Sequence, residues 1–458
     1  MDIDSRSASQ VRIQLSTRDQ GLQLPETGPI LVQTALKRYA LSTLVNSLLE
    51  SEKPIPFEFL INGQFLRTSI DEFLTANAIS AETTLNVEYV RALIPPIHIS
   101  SFEHDDWVSS VDVLSSDSDA RILSASFDGL IRVWNNSNTT LLATSPSAVY
   151  NGHTASVKAV KFLTPSKIVS AGNDRTLRIW NYSENDTSAS IVPTLELYGH
   201  ASKISSISVH APTSHIISAS DDHTIGLWST SKSSAPEARS SLLPTASSAA
   251  NKRRKISKAD NKQISQRGPL STLVGHSDVA SAAIFKATDP TVAYSSSWDH
   301  SVRTWDLTTS KSVESRTTLH PLSALAEMQS VNLLAAGSTA RHITLIDPRA
   351  SASKVAAMTL RGHTNAVSSL AQEPGSNYSL VSGSHDGTCR IWDIRSVKSA
   401  PSAEGGQVGE SVYVINRETA GGQPKKEGVQ VFDVVWDKDI GIVSAGEDKR
   451  VQVNRPVK

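Results

Sequence analysis

The clearest pattern along the chain is a short apolar run, a polar turn, and a second run in which apolar and polar residues alternate. ILSASFDGLIRVW is one example, and six similar strings follow it. An apolar run, a turn with Gly, Asp or Asn, and an alternating run predict two antiparallel strands joined by a hairpin. The seven copies end at Trp134, Trp180, Trp228, Trp305, Ile346, Trp392 and Asn454.

Four copies also carry a Gly-His pair about 22 residues before the turn aspartate. The histidines of these pairs are His153, His200, His276 and His363. His104 and His320 occupy a similar place in two other copies. Each copy is therefore about 40 to 50 residues long, and this self-similarity indicates a repeat architecture in which each copy forms one sheet.

The period, the Gly-His pairs and the Trp-ended strands resemble the WD-repeat family, and Trp305 and Trp392 are each followed by the family's Asp. The resemblance implies a mainly β fold, a seven-bladed propeller over residues 97–457. It also implies that an N-terminal strand completes the last blade, and Ile97 to Phe102 is placed to do so. Closing the ring would protect strand edges that separate blades would expose.

The repeated histidine, serine and aspartate are also the residue types of a serine hydrolase. An enzyme needs one site, whereas Ser precedes Asp by four residues in six copies. The resemblance implies a structural hydrogen-bond network, so that each buried polar group has a partner. Its members are His153, Ser170, Asp174, Trp180, His200, Ser218, Asp222, Trp228, His276, Ser295, Asp299, Trp305, His363, Ser382, Asp386 and Trp392.

Two copies depart from this pattern. The copy that ends at Ile346 has Ala336 and Ala340 in place of Ser and Asp, and the final copy lacks a Gly-His pair. We expect these two blades to be held more by apolar packing, since each blade packs chiefly on its neighbours.

The first ninety residues show a different pattern. VRIQLS predicts a strand, and Leu41, Val45 and Leu48 share one face of a helix that Ser42 could cap. PFEFLING, with its Asn-Gly turn, and the alternating TLNVEYV complete a ββαββ order. The order of these elements and the size of the segment resemble the ubiquitin-like β-grasp fold, which implies an α+β domain over residues 10–91. Because this domain lacks the diglycine end that conjugation requires, we expect it to act as a docking module.

Composition supports a folded chain. Hydrophobic residues make up 39% and charged residues 19% of 458 residues, and the net charge is -1. No overall field therefore draws the chain toward nucleic acid or anionic lipid. The single cysteine, Cys389, fits a reducing compartment, and the absence of a long apolar run predicts a chain that is neither secreted nor membrane-spanning.

A basic insertion separates two of the copies, since Trp228 and Trp305 lie 77 residues apart. We expect residues 229–268 to be a disordered loop, because the segment is polar and poor in aromatic residues. Residues 251–267 hold seven Lys or Arg and one Asp. The run Lys252, Arg253, Arg254 and Lys255 favours a nuclear import signal over an RNA phosphate contact or a solvated charge run.

The ubiquitin-like segment with FLINGQFLRTSI, joined through Pro-Pro to the propeller, resembles the Notchless-like (NLE) arrangement. With HDDWVSSVDV and STARHITLIDPR, it is similar to the family of WD-repeat subunits of the PeBoW ribosome biogenesis complex. The resemblance implies a non-enzymatic factor of the nucleus, nucleolus and nucleoplasm, without a cofactor of its own, that acts in pre-rRNA processing and 60S maturation. Its implied partners are the block-of-proliferation propeller protein, pescadillo, the pre-60S particle and the Midasin AAA ATPase.

In this family one acidic residue of the ubiquitin-like domain completes the coordination of Mg²⁺ in the adhesion site of Midasin. The match is Glu82, in the loop before TLNVEYV. One presented carboxylate is chemically adequate, because Mg²⁺ favours hard oxygen ligands and commonly uses one or two carboxylates. The alternative is an ordinary solvated loop carboxylate.

A second function remains open, as a substrate receptor of a cullin-4 ubiquitin ligase. Trp392-Asp393-Ile394-Arg395 fits the WDxR pattern with which such propellers dock their adaptor. The match covers four residues, and Asp and Arg are frequent at the end of a blade strand for structural reasons.

Overall fold

The structure, a computed structural model, describes residues 9–25, 28–51, 53–115, 120–185, 188–243, 264–350, 357–399, 407–420 and 429–456. Its contacts divide the chain into two units. The first comprises Met1–Pro95 with Ile394–Gly409, and the second comprises Pro96–Asp393 with Glu410–Lys458. Neither of the two α-helices among the described residues is long and apolar enough to cross a membrane.

The N-terminal domain is a five-stranded sheet with two helices. The sheet order is β2-β1-β5-β3-β4, with β1 parallel to β5 and the other pairs antiparallel, which is the β-grasp arrangement. The elements are β1 (Gln10–Ser16), β2 (Ile30–Gln33), α1 (Arg38–Leu48), β3 (Phe57–Ile61), β4 (Gln64–Phe65), α2 (Ile70–Ala76) and β5 (Leu85–Arg91). The ubiquitin-like class is confirmed, but the order is ββαββαβ, because FLRTSIDEFL contributes the second helix.

Two local features of this domain follow from single residues. Asn62 and Gly63 both have positive φ in the predicted turn between β3 and β4, which matches the twist of a tight hairpin. Ser42 is not a helix cap. Helix α1 begins four residues earlier, and the Ser42 hydroxyl lies within it, where it accepts the Phe57 backbone N–H at 3.2 Å. Helical spacing located the helix but not its first residue.

The segment Ile394–Gly409, which the sequence placed in the propeller, is grouped by its contacts with the N-terminal domain. The Val397 N–H donates to the Gly63 carbonyl at 2.8 Å. The segment contains a short hairpin of β31 (Lys398–Ser399) and β32 (Gln407–Gly409). A stretch that is distant in the sequence thus completes this unit.

Seven sheets form the propeller, one from each sequence copy, and each contains a set of four antiparallel strands. Their strands are, in blade 1, β7 (Val108–Leu114), β8 (Arg121–Ser126), β9 (Ile131–Asn135) and β10 (Leu141–Thr144); in blade 2, β11 (Val157–Thr164), β12 (Lys167–Gly172), β13 (Thr176–Asn185) and β14 (Ser188–Tyr198); in blade 3, β15 (Ile204–His210), β16 (His215–Ser220), β17 (Thr224–Ser229) and β19 (Ser271–Val274); and in blade 4, β20 (Ala280–Lys286), β21 (Asp289–Ser297), β22 (Ser301–Asp306) and β23 (Lys311–Thr317).

The remaining three blades repeat this order. Their strands are, in blade 5, β24 (Leu322–Met328), β25 (Leu333–Ser338), β26 (His342–Ile346) and β27 (Met358–Arg361); in blade 6, β28 (Val367–Gln372), β29 (Ser379–Ser384), β30 (Thr388–Asp393) and β33 (Ser411–Asn416); and in blade 7, β34 (Val431–Asp437), β35 (Gly441–Gly446), β36 (Arg450–Pro456) and β6 (Pro96–Glu103). Short 3-10 turns occupy Gln20–Leu22, Ala148–Tyr150, Ser240–Leu242, Gln329–Val331 and Glu418–Ala420.

The blades form a closed ring. Each inner strand contacts the inner strand of the next blade, and β34 of blade 7 contacts β7 of blade 1. Blade 7 takes its outer strand from the N-terminal side, since β6 pairs antiparallel with β36 from Glu103↔Arg450 to Pro96↔Pro456. The predicted closing strand is therefore present, and apolar side chains of β6, β7 and β36 pack in one cluster.

We expected residues 229–268 to form a disordered loop. For the two flanks of this insertion the expectation is wrong, because they are structured. Ala235 is buried, Glu237 forms a β-bridge with Arg267, and β18 (Ser265–Arg267) pairs in parallel with β14. Strand β18 finds its partner on the free outer edge of blade 2, and Glu237 in the other flank pairs with β18. Residues 244–263 lie outside the described part of the chain.

Candidate functional site

The repeated His, Ser, Asp and Trp meet in one buried network within each of four blades. In blade 2 the Trp180 indole N–H donates to Ser170 Oγ at 2.8 Å. Ser170 Oγ lies 2.7 Å from His153 Nε2, and His153 Nδ1 lies 2.9 Å from Asp174 Oδ2. Every group is satisfied when the serine hydroxyl donates to a neutral imidazole and the imidazole N–H donates to the carboxylate.

The same geometry recurs in blades 3, 4 and 6. The His to Ser distances are 2.7, 2.7 and 2.6 Å, and the His to Asp distances are 2.9, 2.8 and 2.8 Å. The network joins the loop before the inner strand to the second strand, the third strand and the turn between them. The residues concerned are His200, Ser218, Asp222, Trp228, His276, Ser295, Asp299, Trp305, His363, Ser382, Asp386 and Trp392.

Burial determines the protonation of these networks. It lowers the pKa of His153, His276 and His363 more than the hydrogen bond to the aspartate raises it, so these imidazoles are neutral. Burial alone would raise the pKa of Asp299, but hydrogen bonds from Ser301 and His276 outweigh it and lower that pKa to about 2. In blades 2, 4 and 6 the network thus pairs a neutral donor with a charged acceptor.

The relay of Ser, His and Asp has the distances of a hydrolase triad, but it lies inside the sheet. Ser170 is fully buried and His153 is only 4% exposed. Ser170 Oγ also accepts the Trp180 N–H, which occupies the space that a substrate would need. A nucleophile must be reachable by its substrate, and so this set of groups acts within the fold.

Blade 7 contains a network that the sequence reading missed. Arg417 takes the histidine's place, donating from Nη1 to Ser444 Oγ at 2.7 Å and from Nε to Asp448 Oδ2 at 3.0 Å. Its side chain is buried. The expectation that apolar packing replaces the network here is wrong, because a longer side chain reaches the same two acceptors. Arg417 precedes Asp448 by 31 residues, and this spacing hid it.

Blades 1 and 5 depart further from the pattern. In blade 1, His104 Nε2 lies 2.8 Å from Ser124 Oγ, but Asp128 forms an ion pair with Arg132 at 2.7 Å. In blade 5, Ala336 is buried within an apolar cluster that includes Leu325, Leu334 and Ile346. Of the two blades that we expected to be held more by apolar packing, only blade 5 is held in this way.

Glu82 is exposed in the N-terminal domain. It lies in a turn in which its own N–H and the Thr83 hydroxyl are bonded to Ser80, directly before β5. Among the described residues its carboxylate has no ion-pair or hydrogen-bond partner. The turn therefore presents two solvent-exposed carboxylate oxygens just before the central strand of the sheet.

The other predicted residues fall in two places. Lys252, Arg253, Arg254 and Lys255 lie outside the described residues. In the WDxR string, Trp392 is fully buried and Asp393 is 2% exposed, so the aspartate is not presented to an adaptor. Within the described ranges, no group of three or more His, Cys, Asp or Glu side chains is arranged to hold a metal ion.

Comparisons with protein families match both parts of the chain. The NLE (NUC135) domain matches residues 11–74, a range that ends before Glu82. The WD domain, G-beta repeat, matches 97–135, 144–181, 191–229, 267–306 and 355–393, which correspond to blades 1 to 4 and 6. The first three strands of blades 5 and 7, where the network is absent or rebuilt with arginine, lie outside those ranges, whereas the outer strands β27 and β6 fall almost entirely within them.

Curated relatives are similar over almost the whole chain. "Ribosome biogenesis protein ytm1" of Aspergillus terreus is 61% identical, with 97% of this chain and 96% of the relative covered. The protein of that name from Emericella nidulans is 59% identical over 99% and 97% of the two chains. "Ribosome biogenesis protein YTM1" of Ajellomyces capsulatus is 59% identical over 97% and 93%.

Proposed function

The chain belongs to the Ytm1 family of ribosome biogenesis proteins, and from this premise we propose that it is the non-enzymatic WD-repeat subunit of a PeBoW complex in large-subunit maturation. The similarity over nearly all of both chains supports this assignment, since it includes the NLE domain as well as the propeller. The chain acts in the nucleus and nucleolus, where pre-60S particles are assembled.

Each part of the chain has its own partner in this proposal. The propeller binds the block-of-proliferation protein, which in turn binds pescadillo, and so anchors the chain on the pre-60S particle. The NLE domain offers Glu82 to the adhesion site of Midasin. The protein is then a tether, because the ATPase pulls on the NLE domain and the propeller transmits that force to the particle.

The geometry at Glu82 supports the Midasin contact. Mg²⁺ prefers octahedral coordination by oxygen ligands and is commonly bound through one or two carboxylates, so a single presented carboxylate is an adequate ligand. Glu82 fits this need because its carboxylate is exposed and because its turn is held by two hydrogen bonds to Ser80. Little conformational entropy is lost when a ligand is presented from a preformed turn.

The first test replaces Glu82 in the full chain by Gln, which keeps the shape of the side chain and removes its charge. Affinity for the Midasin adhesion domain, measured by isothermal titration calorimetry with Mg²⁺, should fall by about 30-fold or more, as expected when one partner of a desolvated charge contact is lost. Chelation of Mg²⁺ should abolish binding of the wild type.

Glu72→Gln is the matched control, because Glu72 is another exposed carboxylate of the same domain. It should bind Midasin like the wild type. Equal affinity of Glu82→Gln and the wild type in the presence of Mg²⁺ would contradict the assignment. Thermal unfolding of both variants should match the wild type, which separates loss of the ligand from loss of the fold.

A second prediction concerns the basic run in the insertion. Alanine at Lys252, Arg253, Arg254 and Lys255 should leave a fluorescent fusion of the protein in the cytoplasm, because import receptors read clustered cationic side chains. Alanine at Lys258 and Lys262 is the control and should leave nuclear import intact. Undiminished nuclear accumulation of the fourfold variant, in cells whose partner proteins are depleted, would refute the signal.

The cullin-4 alternative has less support. The match covers four residues, and its Asp393 is buried at the end of β30. Arg395→Ala should disrupt adaptor binding if the chain is a ligase receptor, whereas in the proposed function it leaves ribosome assembly nearly unchanged.

A further inference from the structure

The turn between the second and third strands of each blade is attached to the loop before the inner strand by the same backbone hydrogen bond. In blade 1 the Phe127 N–H donates to the Trp107 carbonyl at 2.9 Å, and in blade 6 the His385 N–H donates to the Ala366 carbonyl at 3.0 Å. This bond uses no side chain. The equivalent turn residues are Phe127, Asn173, Asp221, Trp298, Thr339, His385 and Glu447.

The side chains at this face are aromatic where blades 6, 7 and 1 meet. The ring centroids of Trp107 and Phe127 lie 5.5 Å apart, and Phe432 lies 6.0 and 5.8 Å from them. His385 contacts Phe432 at 5.9 Å, and the Lys158 ammonium lies 4.8 Å from the Phe127 centroid. We call Trp107, Phe127, Lys158, His385 and Phe432 the aromatic mouth.

The aromatic mouth is exposed at Trp107, and its other four residues are partly buried. Trp107 is 39% exposed, and Trp298, at the equivalent turn position of blade 4, is 48% exposed. The common backbone bond holds the turns whichever side chain is present, so the fold does not require large rings at these positions. Exposed aromatic side chains grouped on one face are typical of protein interaction sites.

The charges around Lys158 favour an acidic ligand there. Among the described residues no acidic side chain lies within ion-pair distance of its ammonium. Its pKa is lowered, first by burial and then by the neighbouring Lys203. Lys203 pairs with Asp221 at 3.0 Å, which leaves that carboxylate engaged. Besides Lys158, the charged groups that face His385 are the carboxylates of Glu447 and Asp386. The Asp386 carboxylate is hydrogen-bonded to His363.

We propose that the aromatic mouth is a docking surface for an acidic peptide segment of a protein partner. A carboxylate of that segment pairs with Lys158, and a neighbouring apolar side chain packs on Trp107, Phe127 and Phe432. The site stands whether or not Glu82 binds Midasin, since Glu82 lies in the N-terminal domain. It adds to the proposed function a specific contact on the propeller.

A peptide fits this surface better than RNA does. Asp106 precedes Trp107 and is exposed, and Glu447 lies near His385, so the face is not uniformly basic. RNA-binding surfaces rely on concentrated positive charge, whereas Lys158 is the one lysine or arginine among the five residues of the aromatic mouth. The rings of Trp107 and Phe127 also meet edge to face at 74°, which covers part of the face that a base would stack on.

The test uses the full chain and a displayed library of random dodecapeptides. Peptides are selected on the wild type, with no prior depletion on a variant. The selected peptides should combine Asp or Glu with an aromatic or aliphatic residue. Synthesised with a fluorophore, they should bind Lys158→Glu and Trp107→Ala at least about tenfold more weakly than the wild type by anisotropy.

Lys167→Glu is the matched control, because Lys167 is an exposed lysine of the same blade, at the start of β12. It should bind the selected peptides like the wild type, and thermal unfolding should show that all variants are folded. Selection of no peptide, or of basic peptides, would overturn the proposal. So would a single-stranded RNA dodecamer that binds the wild type more tightly than every selected peptide and loses affinity in Lys158→Glu.

Discussion

Arg417 in blade 7 reaches the two groups that a histidine contacts in four other blades. Its guanidinium donates to Ser444 and to the carboxylate of Asp448, and both side chains of the ion pair are buried. A planar guanidinium with several N–H donors can satisfy both acceptors at once, which lysine could not do in the same geometry. One residue thus maintains the link between the turn and the second strand.

The Arg417→Met variant tests this role. It leaves the Asp448 carboxylate buried without its partner, so the free energy of unfolding should fall by about 3 to 5 kcal/mol. Urea unfolding followed by tryptophan fluorescence measures the change. Arg349→Met is the control, because the pair of Arg349 with Asp347 is exposed and should contribute little. Equal stability of the two variants would show that Arg417 has no such role.

At the scale of the blade, the network attaches the hairpin of the second and third strands to the loop that precedes the inner strand. The turn aspartate also accepts the backbone N–H after the histidine, as Asp174 does from Thr154 at 3.0 Å. Polar groups that are buried together and fully paired specify one arrangement of the strands. Blade 5 packs apolar side chains around Ala336 instead, and blade 7 uses Arg417, so the histidine network is one of several solutions.

The blades make the stability of the propeller dependent on pH. The pKa of His153, His276 and His363 is lowered on folding, so their unfolded forms bind protons that their folded forms do not. This stabilisation is complete above the unfolded pKa of about 6.5 and is lost as the pH falls below it, by about 1.4 kcal/mol per pH unit for each histidine. The urea midpoint should therefore decrease between pH 7.5 and 5.5.

The His153→Gln variant is the control for this pH dependence. It should be less stable than the wild type, and its midpoint should decrease less steeply, since the proton bound by His153 no longer distinguishes the two states. A wild-type midpoint that stays constant between pH 7.5 and 5.5 would contradict the neutral imidazoles. The aspartates affect stability at lower pH. Because folding lowers the pKa of Asp299 to about 2, its carboxylate stabilises the fold above about pH 3.9, and this stabilisation is lost as the pH falls toward 2.

At the scale of the whole chain, the closing strand β6 decides whether the propeller has a free edge. It pairs with β36 along seven positions, and Arg450 forms an ion pair with Glu103 at 2.6 Å. Without β6 the outer edge of β36 would present unpaired backbone N–H and C=O groups, which promote association with other chains.

Two shortened chains test the closure. A chain that begins at Pro96 keeps β6, and we expect it to be monomeric in analytical ultracentrifugation. A chain that begins at His104 lacks β6 and should self-associate and unfold at lower temperature. The N-terminal domain is absent from both chains, so the difference isolates the closing strand. Identical sedimentation and unfolding of the two would show that closure does not depend on β6.

The sequence by itself determined the elements that depend on neighbouring residues. Alternation, turn residues and the repeat predict seven hairpins and the tightly turned β3–β4 pair, because strand pairing across a short turn is set locally. Only the tertiary structure revealed Arg417 in the histidine's place, the paired flanks of the insertion, the docking of Ile394–Gly409 and the aromatic mouth. Each of these joins residues far apart in the chain, and no local pattern records which distant side chain or strand edge will meet them.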